Sequence, residues 1–279
     1  MLGKLIKHEF RATGRLMAPL FGALLLLAVF VRVSDLILSA ADAPVFFEAL
    51  NALLLVVYVL AILGVTVFAT ILMIKRFHQN FLTDEGYLMF TLPTSVHSLL
   101  WSKLITAALF FIFTFLAEAL SVAIVVWRGG LAREMFTGFA DFFRRLDSYY
   151  MANGLAFALE TLALLFVSLL VTCLLFYAPM SIGYSFANHK GLLSVVFYFV
   201  IQAILQIFGV AVLSGAVNDT AFHRLLTDAM DNLGRIDTPV TAMQAAHGTM
   251  LLALFTELFL GAILYFLTYF MLRKHRNLQ

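Results

Sequence analysis

Three carboxylates fall inside apolar runs: Glu118, Glu160 and Glu257. A carboxylate at mid-membrane costs about 2.5–3.5 kcal/mol on insertion scales, so such residues face a protein interior or a water-filled cavity. Two kinds of chemistry fit. One is a cavity lining for a cationic or amphipathic substrate; the other is helix–helix hydrogen bonding, or a protonated acid. Glu160 is read in the second way, and Glu118 and Glu257 are left between the two as possible cavity residues. Catalytic groups were sought around them. Neither HExxH nor GxSxG occurs, and no nucleophile–base pair can be assembled, so an enzyme is not expected. The histidines (His8, His78, His97, His189, His223, His247 and His275) are scattered, mostly at the edges of apolar runs, and no metal site is assigned. Cys173 is the single cysteine, which excludes a disulfide framework within one chain.

The elements that hold these acids are membrane helices. Of 279 residues, 63% are hydrophobic and 12% charged, against roughly 45–50% and about 25% in soluble domains. A hydrocarbon core needs about 20 apolar residues of helix. Six runs reach that length: 17–38, 45–74, 99–127, 153–188, 192–215 and 249–272. The second is long enough to tilt or protrude. Pro179 and Gly183 are expected to bend the far end of the fourth, and Asn188–Gly191 to form a tight turn before the fifth. Residues 128–152 and 216–246 are polar excursions. The expected fold is therefore an all-α, multi-pass membrane protein with a single membrane domain covering 1–279.

Before the first span, Lys4, Lys7, Arg11 and Arg15 fall on one face of a helix over 2–15, and Leu2, Leu5, Ile6 and Phe10 on the other. That pattern predicts an amphipathic helix in the membrane interface, its cations towards lipid headgroups. Glu9 projects onto the apolar side. It either snorkels to water or pairs with a nearby cation such as Lys75, Arg76 or Lys103.

The positive-inside rule sets the orientation. With the N-terminus inside, the inner segments hold eleven cations (Lys4, Lys7, Arg11, Arg15, Lys75, Arg76, Lys103, Lys190, Arg273, Lys274, Arg276) and three acids (Glu9, Asp84, Glu85). The outer segments hold seven cations and ten acids. Both termini are then cytosolic, and the excursions at 128–152 and 216–246 extracellular.

That orientation places RFHQNFLTDEGYLMFTLPTS, Arg76–Ser95, in the cytosol as an elbow between spans two and three. Thr83 is a good N-cap. Asp84 and Glu85 suit a first helical turn, Pro93 ends the helix, and Ser95 can cap the next one. Tyr87, Leu88, Met89 and Phe90 would expose apolar surface of the kind that marks a partner site, unless they dip into the interface.

These features together resemble the ABC type-2 permeases, membrane subunits of exporter-type ABC transporters, of the Gram-positive bacterial type. The likeness rests on the basic N-terminal segment with KHEFR, on FLTDEGYLMFTLPTS followed by SLLWSKL, and on the six-span layout. It implies that the elbow is a short cytosolic coupling helix docking into a separate ATPase subunit through Thr83, Asp84, Glu85, Gly86, Tyr87 and Phe90. It implies ATP and Mg on that partner with no cofactor in this chain, and a second permease copy or a sibling permease beside it. The implied substrate is amphipathic: a peptide, an antibiotic or a lipid. Membrane lipids are partners, nucleic acid is not, and the location is the cell membrane. No GxxxxGK[ST] loop occurs, so no motor of that type lies in the chain. The competing expectation is an ATP-independent secondary carrier with six spans, which should show repeats and broken helices.

Overall fold

The computed structural model describes residues 2–40, 45–83, 94–127, 154–186, 188–213 and 239–274, with a few positions between 133 and 144. Among the described residues it is all-helical. Its six long helices are α1 (Leu2–Ala40), α2 (Val45–Leu82), α3 (Val96–Val126), α4 (Gly154–Gly183), α5 (Lys190–Leu213) and α6 (Pro239–Lys274). Each is long and apolar enough to cross a membrane. The outward faces are oily. Phe30, Phe46, Phe115, Phe199, Phe259 and Phe266 are all exposed, a surface that only lipid would tolerate. Hydroxyls inside the helices are satisfied by their own backbone: Thr114, Ser168, Ser181 and Thr268 each donate to the carbonyl four residues back.

The chain divides into two compact units, Met1–Asn80 with Phe90–Glu134, and Phe81–Met89 with Met135–Gln279. In the first, α1 lies along α3. Glu9 meets Lys103 at one end, Met17 packs with Phe110 in the middle, and Leu24 and Val31 pack near Ile124 and Val125 at the other. The two helices are therefore parallel. α2 runs antiparallel to both, with Leu72 beside Met17 and Tyr58 beside Leu24 and Ala28. The second unit follows the same plan. α4 lies along α6, parallel to it, with contacts that advance together from Glu160–His247 through Val171–Gly261 to Ser185–Met271. α5 returns antiparallel against α4. The α4–α5 turn is tight but falls earlier than expected, since α4 ends at Gly183 and α5 begins at Lys190, which makes Lys190 and Gly191 helical. His189 takes the left-handed conformation at φ 54°, and its carbonyl accepts from Leu193 N at 2.9 Å. Gly183 is needed beside this turn, because a Cβ there would overlap the backbone N and Cα of Ser194.

The boundaries differ from the sequence expectation in three further places. No separate interface helix occupies 2–15, since α1 is one helix of 39 residues that continues through Pro19. Its N-terminal turns are held against α3 by the Glu9–Lys103 ion pair, and Thr13 and Met17 on the same face are buried. α2 does not end at Ile74 but runs on to Leu82, which takes Arg76–Leu82 out of the elbow. Phe77 and Phe81, one turn apart and beyond the charges of Lys75 and Arg76, are both buried. α6 begins at Pro239, so 239–246 belongs to the helix and not to the polar excursion; proline suits the first helical position. Residues 84–93, which carry the expected coupling helix, lie outside the described residues. Ser95 does cap α3, its Oγ accepting from Ser98 N at 3.3 Å.

Candidate functional site

The most polar interior feature of the first unit lies at its cation-rich end. The α3 helix starts at its Ser95 cap and, two turns on, delivers Lys103 into the seam with α1. The Lys103 side chain is only 3% exposed, and it forms an ion pair with Glu9, itself 12% exposed. Asn80 of α2 completes the cluster. Its amide orientation is assigned from the network: the oxygen accepts from Lys103 Nζ at 2.6 Å, and the nitrogen donates to the Arg76 carbonyl at 3.1 Å. The reverse orientation would press an amide nitrogen against an ammonium. Of the two readings of Glu9, pairing is the one seen, and Lys103 is the partner.

A buried pair of this kind gives little net stability, because desolvation offsets attraction; losing one partner is costly. Its effect is geometric. It fixes α1, α2 and α3 to one another just where α2 and α3 leave for the 83–95 connection. Thr83, half-buried, is the last described residue before it; Asp84, Glu85, Gly86, Tyr87 and Phe90 lie outside the described residues. Lys4, Lys7, Arg11 and Arg15 are exposed on the opposite face of α1.

Deeper in the same unit the α2–α3 seam carries two more polar contacts. Thr66 Oγ1 donates to Glu118 at 2.6 Å, and Tyr58 OH lies 2.8 Å from Ser121 Oγ. Ser121 also donates to the Glu118 carbonyl at 2.8 Å. Its one proton is thereby used, so Tyr58 is the donor to Ser121. Glu118 is thus a helix–helix hydrogen-bonding residue.

In the second unit Glu160 of α4 meets His247 of α6, Oε2 to Nδ1 at 2.6 Å. Phe157 stands edge-on to the imidazole, with ring centroids 5.8 Å apart. The pairing agrees with the hydrogen-bonding reading of Glu160. Its partner was not foreseen, since 87 residues separate the two and no local pattern joins them. Glu257 is different. Its Oε2 is buried without a hydrogen-bond partner among the described residues. Glu118 and Glu257 belong to different units.

Among the described residues no group of three metal-ligating side chains comes together. The arrangement offers clamps between helices, one unpartnered carboxylate in a span, and basic ends. The basic end of the first unit carries Lys4, Lys7, Arg11, Arg15, Lys75, Arg76 and Lys103 against Glu9; the second unit has a basic end of its own, with Lys190 and Arg273. No protein-family model, curated protein or solved structure matches the chain.

Proposed function

We propose that the chain is the membrane-spanning permease subunit of an ATP-driven exporter of the ABC type-2 kind. It moves an amphipathic substrate (a peptide, an antibiotic or a lipid), and its ATP and Mg are bound by separate ATPase subunits. Both termini lie in the cytosol, the protein resides in the cell membrane, and a second permease, identical or a sibling, completes the pathway. The observation that carries this reading is the clamped, overlong end of the first unit. α2 has 38 residues, about 57 Å of helix, against a hydrocarbon core of about 30 Å. Its excess length lies at the cation-rich end, tied to α1 and α3 by Glu9, Lys103 and Asn80. A push on the 84–93 segment would therefore be passed to three helices as one body. Lever geometry of that kind suits a mechanical input from outside the chain.

The test is co-expression with a candidate ABC ATPase, taken first from the neighbouring reading frames. The ATPase should co-purify, and Glu85→Lys should abolish the permease-dependent stimulation of ATP hydrolysis while the protein still folds and inserts. Normal coupling in that variant would count heavily against the reading.

A second reading, an ATP-independent carrier, is favoured by the unpartnered Glu257 oxygen within a span and by the common plan of the two three-helix units. Transport by the purified chain alone in liposomes would establish it in place of the first.

A further inference from the structure

Helix α1 has two charged faces that do different things. On one, Glu9 is buried with Thr13 and Met17. On the other, Lys4, Lys7, Arg11 and Arg15 are all exposed. At 100° per residue the four cations fall within about 80° of arc, along roughly 16 Å of helix axis. None of the four makes an ion pair or hydrogen bond among the described residues. The one carboxylate on this stretch, Glu9, points away and is already paired with Lys103. The ion pair therefore has a second consequence: it fixes the rotation of α1 so that four uncompensated positive charges face outward in a line.

We propose that this ridge is a binding site for the phosphodiester headgroups of anionic phospholipids in the leaflet at that end of the molecule. Position and charge choose the occupant. The ridge runs without a break into the apolar stretch that begins at Leu16, so Arg15 stands at headgroup level, with Arg11 one turn beyond. Both carry the planar fork that binds phosphate oxygens bidentately. Lys4 and Lys7 lie further out, where the surface potential of an anionic leaflet acts over a Debye length of about 8 Å. A leaflet is beside the ridge permanently, so a soluble anion competes against a very high local concentration of lipid phosphate. The proposal does not depend on what the protein transports.

The experiment uses the full chain in nanodiscs of mixed phosphatidylcholine and phosphatidylglycerol, counting the lipids retained by native mass spectrometry. Wild type should retain phosphatidylglycerol several-fold over phosphatidylcholine, and added salt should erase the preference. Removing the cations should weaken headgroup association at low salt, each contributing part of that preference. The Lys4→Gln/Lys7→Gln/Arg11→Gln/Arg15→Gln variant should therefore lose most of the preference, and Lys4→Arg/Lys7→Arg should keep it. These cations also guide insertion, so the salt titration on wild type provides a test that needs no variant. Three results would overturn the proposal: equal retention of the two lipids by wild type, a preference insensitive to salt, or an undiminished preference in a correctly inserted quadruple variant. Displacement of the lipid by millimolar glycerol phosphate would also overturn it, since the site would then be one for free phosphate.

Discussion

In the first unit polar side chains join all three helices; in the second, apart from the Glu160–His247 pair, the helices meet over glycines. Glu9, Lys103 and Asn80 reach across three helices, and Thr66–Glu118 and Tyr58–Ser121 continue the seam inward. α4 approaches α5 so closely at Gly183 that a methyl group would meet the Ser194 backbone, and it meets α6 at Gly261, with Val171 close by. The first device ties elements together through groups that reach far and depend on their partners. The second gives close contact that depends on the absence of a side chain. On the proposed reading, the first device suits a unit that passes on a push and the second a packed wall. The contrast makes definite demands on stability.

Lys103 should give the largest effect. Lys103→Met leaves Glu9 as a carboxylate in a nearly closed site, and breaking a buried pair by one partner costs about 3–5 kcal/mol. Thermal unfolding in one detergent should show a large drop in Tm. Glu9→Gln together with Lys103→Met should recover most of it, because the uncompensated charge is gone. A double variant as unstable as the single one would show that packing, not charge, holds the first unit, and the contrast with the second would collapse.

Next is Gly183→Ala. The obstructing atoms include the N and Cα of Ser194, which cannot rotate away, so overpacking should cost about 1–3 kcal/mol. Gly261→Ala is the internal control. Its added methyl meets only a Val171 methyl, at 3.0 Å, and the gain of helix propensity, up to about 1 kcal/mol, should bring it close to neutral. Equal losses at both glycines would mean that neither approach is set by backbone proximity.

These two devices were unequally legible in the sequence. Six apolar runs longer than a bilayer needs announce six helices, and Ser95 and Asn188–Gly191 announce a cap and a turn, because each is a local signal. The clamp was half legible. Glu9 stood out as an acid on an oily face, but its choice of Lys103 required knowing that α1 lies along α3. The length of α2 was hidden by its charges: Lys75, Arg76 and His78 end the apolar run, while Phe77 and Phe81 quietly continue the buried face. Pro239 suits the first helical position, but it lies within the polar stretch 216–246, where hydropathy alone places no helix. Glu160–His247 had no signal, since two polar residues 87 apart become neighbours only through tertiary packing.

That pair supplies a smaller test. Interhelical hydrogen bonds in membranes couple by about 0.6 kcal/mol on average and up to about 1.7. A cycle of Glu160→Gln, His247→Phe and the double variant should return a coupling in that range for the second unit. A coupling as large as that between Glu9 and Lys103 would show that the second unit has a charge clamp of its own.

The smallest effect is expected at Tyr58→Phe, and its smallness is informative. Tyr58 donates to Ser121, and Ser121 passes its own proton to the Glu118 carbonyl at 2.8 Å. Removing the phenol oxygen therefore deletes a donor but strands no buried proton: Ser121 keeps its bond, and its oxygen loses one of two possible partners. The loss should be about 0.6 kcal/mol or less, against about 3–5 kcal/mol for Lys103 in the same unit. The difference separates a group that is held by its own helix from one that relies wholly on its neighbours. A loss above about 2 kcal/mol at Tyr58 would exceed what an interhelical hydrogen bond of this kind provides and would overturn the ranking.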